Sequence, residues 1–337
     1  AAAERPDARE TLHRPSPGDI EAAAVRLTTP HAALMIGGSA LFGPQRDLAG
    51  KIASATGCRL LADTLIPRIS KGAGTTKLDQ LVYPVSPKIA QLEATSSITL
   101  LGTNRPVAFF AYPGKPSVPE PSHCPVMDLC APTDDIEWTL HSLADAVGVT
   151  NKTEAKAFSL DLPAIPGGQL TLEKVGLALA ALIPEYAIVC NESVTSGFHV
   201  IPPTATARPH DLLAGTGGAI GLCLPCATGA AIACPDRKVI ALTGDGSAMY
   251  TLQSLWTMAR EKLDIVVVIY NNRKYSILEL EFGRTGARGG VPGPKAASTL
   301  DIGTPDMDFV AIANGMGVEA SRATTAEEFS EQLAAGL

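Results

Sequence analysis

Two apolar runs, at 239–242 and 265–269, flank an amphipathic segment, and each ends in a polar turn. A short, continuous apolar run bounded by turn residues marks a strand buried on both faces, as in a parallel sheet with helices outside it. The same reading predicts strands at 32–36, 97–101, 107–111, 187–190 and 318–322. Segments of helical period predict helices at 45–56, 134–147, 171–183, 215–233 and 308–314, with a last one from about Ala326. Proline removes a backbone donor and fixes φ, so the proline-rich stretch 112–125 reads as loop, as does the glycine- and proline-rich 283–294. Residues 191–196 read as a polar turn at a strand end, and 150–169 as a boundary between two α/β units. The first nineteen residues lack an apolar core and read as a linker rather than a signal peptide. The fold class expected is α/β, with two doubly wound parallel-sheet domains.

The chemistry is concentrated at the two turns of the second unit. The strand at 239–242 leads into Gly244-Asp245-Gly246-Ser247, and the strand at 265–269 leads into Asn271-Asn272. In a parallel sheet both turns lie at the carboxyl edge, where ligands of open α/β sheets bind. Asp245 and Asn272 can therefore face one site and offer a hard cation one charged and one neutral oxygen. Glycine at 244 and 246 lets backbone N–H groups approach an anion closely. Together these features suit a diphosphate held through Mg²⁺; an ordinary βαβ unit with a polar turn is the plainer alternative. A nicotinamide site is not supported, because Gly215-Thr-Gly-Gly-Ala-Ile-Gly221 does not follow the G-x-G-x-x-G spacing.

Composition narrows the class. With 46% hydrophobic and 18% charged residues, the chain is globular rather than disordered. A net charge of −7 argues against a nucleic-acid partner. No apolar run approaches the ~18 residues of a membrane span. Seven cysteines, an odd number thinly spread, fit reduced thiols in a cytoplasmic protein. Cys223-Leu-Pro-Cys226 has redox-pair spacing without redox context and reads as structural thiols.

From Gly244-Asp245-Gly246 to Asn271-Asn272 the sequence resembles the diphosphate-binding motif of thiamine-diphosphate enzymes. The resemblance extends over almost the whole chain and is closest to the acetolactate synthase and benzoylformate decarboxylase branch, with Pro106-Val-Ala-Phe-Phe-Ala-Tyr-Pro-Gly-Lys-Pro-Ser117 similar to a segment of proteins assigned as acetolactate synthases. It implies a linker at 1–17, a central domain at 18–150, a second linker at 151–164 and a diphosphate-binding domain at 165–337 whose final strand is missing. It also implies that a preceding pyrimidine-binding domain is missing, and with it the glutamate that activates the cofactor. No catalytic residue is assigned to this chain for that reason, and the chain alone is expected to be inactive.

By the same resemblance Mg²⁺ is held by the side chains of Asp245 and Asn272 and by the carbonyl of Lys274. The diphosphate meets the amides of Gly246 and Ser247, helped by the dipole of the helix that follows. Ile220 wedges beneath the cofactor, Val194 and Thr195 approach it, and Tyr275 and Ile277 touch it. Leu278 and Glu281 face the substrate pocket, where Glu281 stands in place of an aromatic residue and disfavours a second carboxylate. FAD is a further cofactor of acetolactate synthases, and Gly37-Gly38-Ser39 is the turn that could approach it; a plain strand-to-helix turn is the alternative. The activity implied is decarboxylation of a 2-oxo acid such as pyruvate with carboligation to a second one. Simple decarboxylation of the benzoylformate decarboxylase type and a non-catalytic or regulatory relative are the alternatives. A homo-oligomer, dimer or tetramer, is expected because family sites form between subunits.

Overall fold

The computed structural model describes residues 12–337. Ten strands form two five-stranded sheets: β1 (Ala32–Ile36), β2 (Arg59–Ala62), β3 (Arg68–Lys71), β4 (Asp79–Gln80), β5 (Ser97–Leu101), β6 (Val126–Cys130), β7 (Ala187–Glu192), β8 (His210–Ala214), β9 (Val239–Gly244) and β10 (Ile265–Tyr270). The chain divides into two units. One holds residues up to Thr64 with Thr76–Phe109 and Ser117–Lys156; the other holds Leu65–Thr75, Phe110–Pro116 and Ala157–Leu337.

In the first unit the order is β4-β2-β1-β5-β6 and every pairing is parallel. All five residues of β1 are buried, because helices cover both faces. Its core is Ala33, Met35, Leu61, Ile98 and Leu100 with Leu81, Leu92 and Cys124. Helix Pro17–Leu27 lies against β1, β5 and β6. The linker expected to reach residue 17 therefore ends earlier in the described part. Ser16 accepts from the amide of Asp19 while Asp19 accepts from the amide of Ser16, a capping box that starts the helix. Residues 1–11 of that linker lie outside the described residues.

In the second unit the order is β10-β9-β7-β8-β3. Strands β7 to β10 are parallel, and β3 joins β8 antiparallel at the far edge. The chain runs from β7 to β8 on one side and returns to β9 on the other. The order thus reverses between β7 and β9, and the crevice outside their carboxyl ends is where an open α/β sheet places a ligand. Helix Cys223–Ala233 covers β7 and β9, burying Cys223, Leu224, Ala227 and Ala231 against Ile188, Val239 and Ala241.

Several expected elements differ. Residues 107–111 form no strand: Lys88 Nζ donates to the Val107 carbonyl, Ala108 bonds to Ser117, and the aromatic rings of Tyr83 and Phe109 pack together. The strand of that region is β6, after the prolines. Residues 318–322 form no strand either, although Val318 and Ala320 pack on the core as their alternation predicts. The expected helix from Gly215 begins only at Cys223, because Gly217, Gly218 and Gly221 hold left-handed φ of 73°, 73° and 91°. The turn at 191–196 gives way to a helix at Val194–Val200, and the loop at 283–294 contains the end of helix Ser276–Thr285, the short helical turn Ala287–Gly290 and the first residue of helix Pro294–Leu300.

Candidate functional site

The carboxyl ends of β7, β9 and β10 bring Thr195, Asp245 and Asn272 to one edge of the second sheet. Asp245 follows β9 directly and is 3% exposed. Its Oδ1 accepts from the amide of Gly246 at 2.8 Å, and its Oδ2 accepts from the amide of Arg273 at 2.5 Å. The second bond ties the two motif turns together. Burial pushes the Asp245 carboxyl up from its ordinary range, and the groups opposing that are backbone amides. A buried carboxylate with amides as its partners and a neutral oxygen on the adjoining turn is a donor set suited to a hard cation. Among the described residues no group of three His, Cys, Asp or Glu side chains could hold a metal, so such an ion would depend on Asn272, on backbone carbonyl and on the ligand's own oxygens.

Asn272 is exposed on its turn; its Oδ1 accepts from the amide of Lys274 at 3.0 Å and its Nδ2 donates to Ser276 Oγ at 2.9 Å. Arg273 between them has φ of 62°, which makes the sharp reversal. The Lys274 side chain points to Glu279, 2.7 Å away, and its carbonyl accepts from the amide of Ser276 at 3.1 Å. Tyr275 lies across Gly246: a Cβ there would sit 2.4 Å from the Tyr275 ring. Glycine at 246 is thus needed for the ring's approach, and Gly244 and buried Ser247 complete the turn. The helix that follows Asp245 is only Asp245–Ala248, so the expected dipole contribution reduces to a few local amides.

The other expected residues are distributed around this centre. Thr195 is half-buried in the first turn after Val194, a β-branched residue at φ 44°, where such residues rarely sit. Ile220 is 37% exposed in the glycine-rich loop before helix Cys223–Ala233. Ile277 is half-buried, and Leu278 is 49% exposed on helix Ser276–Thr285. Glu281 is not an open carboxylate: Tyr112 donates to it at 2.6 Å and Arg284 pairs with it. The repulsion expected against a substrate carboxylate is weakened accordingly. The sequence reading missed Tyr112, which arrives from a loop far away in the chain; an aromatic flanked by prolines carries no periodicity to mark it.

The cysteines behave as structural thiols. All seven are free, and Cys223 donates to the carbonyls of Cys190 and Leu242. In the first unit, the Gly37-Gly38-Ser39 turn packs closely against its own unit. A Cβ on Gly37 would meet the Gly102 carbonyl oxygen at 2.3 Å, and on Gly38 it would meet Ile136 Cδ1 at 2.7 Å. The space these glycines open is filled by the protein itself. No helix among the described residues is long and apolar enough to cross a membrane.

Comparison with known proteins follows the same lines. Residues 195–337 match the family described as thiamine pyrophosphate enzyme, C-terminal TPP binding domain. The chain is 46% identical over 323 residues to the "Putative acetolactate synthase large subunit IlvX" of Mycobacterium tuberculosis, covering 96% of this chain and 62% of that protein. It is 34% identical over 204 residues to the benzoylformate decarboxylase of Pseudomonas aeruginosa, 59% of this chain and 36% of that enzyme. A solved structure, the thiamine diphosphate-dependent 4-hydroxybenzoylformate decarboxylase of Rhodococcus jostii, shares the fold with a TM-score of 0.72 at 23% identity, over 99% of this chain and 64% of that one. The chain thus spans less than two thirds of each of these relatives. Residues 195–337 carry the C-terminal TPP-binding domain of thiamine pyrophosphate enzymes, and the chain is homologous to a putative acetolactate synthase large subunit and to a benzoylformate decarboxylase.

Proposed function

We propose that this chain is the cofactor-holding part of an acetolactate synthase-like carboligase acting on pyruvate and a second 2-oxo acid. The observation that carries the site is the buried Asp245 carboxylate tied to the amide after Asn272. In this reading Asp245, Asn272 and the Lys274 carbonyl hold Mg²⁺, and the amides of Gly246 and Ser247 receive the diphosphate. Gly244 keeps the approach open, Tyr275 and Ile277 line the cofactor's flank, Thr195 meets it from β7, and Ile220 bears on it from the exposed loop. Leu278 and Glu281 border the substrate. Thiamine diphosphate, when bound, supplies the electron sink for breaking the bond beside a keto carbon. The chain's own task is to hold and orient it and to exclude water around it.

The Tyr112 and Arg284 contacts to Glu281 favour admission of a second 2-oxo acid, because they offset the carboxylate that would repel it. Simple decarboxylation, as the names of the benzoylformate decarboxylase relatives describe, is the second reading, supported by the likeness over 204 residues. The proposal includes a cytoplasmic homo-oligomer with no nucleic-acid partner, and it gives FAD no role. The test is turnover of labelled pyruvate with thiamine diphosphate, Mg²⁺ and a pyrimidine-binding domain supplied, with products resolved by NMR. Acetolactate is the expected product; acetaldehyde and CO₂ without acetolactate would replace the first reading with the second.

A further inference from the structure

At the end of β7 a second buried carboxylate, Glu192, lies 7% exposed. Its Oε1 accepts from the amide of Leu222 at 3.0 Å, and its Oε2 accepts from the amide of Cys223 at 3.3 Å and from the Thr243 hydroxyl at 3.4 Å. These amides belong to the start of the eleven-residue helix Cys223–Ala233. Unsatisfied amides at a helix start carry partial positive charge, so they can hold a buried carboxylate where no cationic side chain bonds it. The carboxylate therefore occupies this helix start from within.

The same place is gripped from the other side. Thr251 Oγ1 donates to the Gly221 carbonyl at 2.8 Å, and a Cβ on Gly221 would sit 2.6 Å from Tyr250 Cβ. Leu222 folds back over Gly215, where a Cβ would meet its Cδ2 at 2.5 Å. The loop 215–222 is thus closed at its neck. Residues 216–220 are exposed, whereas 221, 223 and 224 are buried. Glu192 stands where the exposed loop enters the core.

We propose that Glu192 is a positioning residue: by holding the amides of Leu222 and Cys223 it clamps the loop 215–222 and fixes the place of Ile220. This rests on the reading that the site binds thiamine diphosphate, because that reading gives Ile220 something to meet. It also assigns Glu192 a task other than proton transfer to substrate, since its oxygens are committed to amides and a hydroxyl. Breaking a buried, charge-assisted contact loosens the segment it holds, and amide exchange reports such local opening residue by residue.

The test compares the wild-type chain with Glu192→Gln and Glu192→Ala. Gln keeps the shape but turns a donor toward one amide; Ala removes the clamp. Hydrogen exchange without cofactor should accelerate about tenfold or more in a peptide spanning 215–224 in the Ala variant, less in the Gln variant, and not at 97–101 in the first sheet. Titration with thiamine diphosphate and Mg²⁺ should then show affinity reduced about tenfold, whereas inorganic diphosphate with Mg²⁺ should bind as before, because Glu192 bonds nothing in the Asp245 turn. Unchanged exchange at 215–224 would overturn the clamp. Faster exchange with unchanged cofactor affinity would overturn the link to Ile220. If the wild-type chain binds no cofactor while exchange responds as stated, the clamp stands and the cofactor reading fails. Should the Ala variant not fold, Glu192→Asp, which shortens the reach, carries the exchange comparison with Gln.

Discussion

The two sheets end in similar ways and use those ends differently. In the first unit the glycine turns after β1 and β5 approach one another so closely that Gly37 faces the Gly102 carbonyl, and Ile136 fills the remaining space. In the second unit the glycine turn after β9 is crossed by an aromatic ring, Tyr275 over Gly246, and its aspartate is tied to the neighbouring turn. Charge differs as well. Asp63, after β2, is pushed up by burial and drawn down first by the Thr64 amide and then by the nearby Lys88 ammonium, itself buried and bonded to Val107. Asp245 is pushed up by burial too, yet its counterweights are amides alone. A doubly wound sheet offers a crevice; whether it becomes a packing joint or a ligand site depends on which side chains close it and whether its buried charge is already matched.

The largest expected effect breaks this comparison at its charges. Asp245→Asn should lower Mg²⁺-dependent thiamine diphosphate affinity by about a hundredfold in calorimetric titration, whereas Asp63→Asn should leave that affinity within about twofold while lowering the melting temperature. Equal effects on affinity would mean that the contrast between matched and unmatched carboxylates carries no function.

Next in size is the filling of the crevices. Ile136→Ala should destabilise the protein by about 3 kcal/mol in urea unfolding, as deletion of a buried aliphatic side chain does, without weakening cofactor binding. Gly246→Ala should do the reverse in emphasis: the new methyl displaces the Tyr275 ring and weakens binding by about tenfold. A cofactor-affinity loss in the Ile136 variant would show that the first sheet's edge is more than packing.

The smallest effect separates the opposite ends of the second sheet. His210 starts β8, at the edge away from the site, and burial pushes its pKa down to about 4. A neutral histidine in the folded state and a protonatable one in the unfolded state mean that the unfolded chain binds more protons between that value and the ordinary ~6.5. Stability is therefore complete above about pH 6.5 and falls with acidification, by about 2 kcal/mol between pH 7 and pH 5. The buried carboxylates Asp245 and Glu192, with raised values, act in the opposite sense and lose stability as pH rises. Urea unfolding of His210→Phe against wild type isolates the histidine: the difference between the two proteins should shrink at low pH.

What the sequence made legible follows the same physics. Strands rich in apolar residues, such as β1, β5, β9 and β10, were readable: the first three are almost wholly buried, and β10, half-buried at the sheet edge, still keeps an uninterrupted apolar run. Short or mixed strands were not: β4 has two residues, β6 reads Val-Met-Asp-Leu-Cys, and β8 begins His-Asp, each defined by its neighbours rather than by its own pattern. The Asp245 and Asn272 turns were readable because glycine and carboxylate types stand in order at strand ends. Glu192 lay in plain view as a polar residue of a turn, yet its role depends on amides thirty residues away. The Tyr112 contact to Glu281, far longer in sequence, had no local sign at all. Contacts formed by chain return are written in no window of residues.

The most direct measurement is calorimetric titration of the wild-type chain with thiamine diphosphate in Mg²⁺ and, separately, in EDTA. Saturable binding in Mg²⁺ that disappears in EDTA is the predicted result, because Asp245 holds the diphosphate only through the cation. Equal binding in both solutions would contradict the assignment of Asp245 and Asn272 as the cation's ligands.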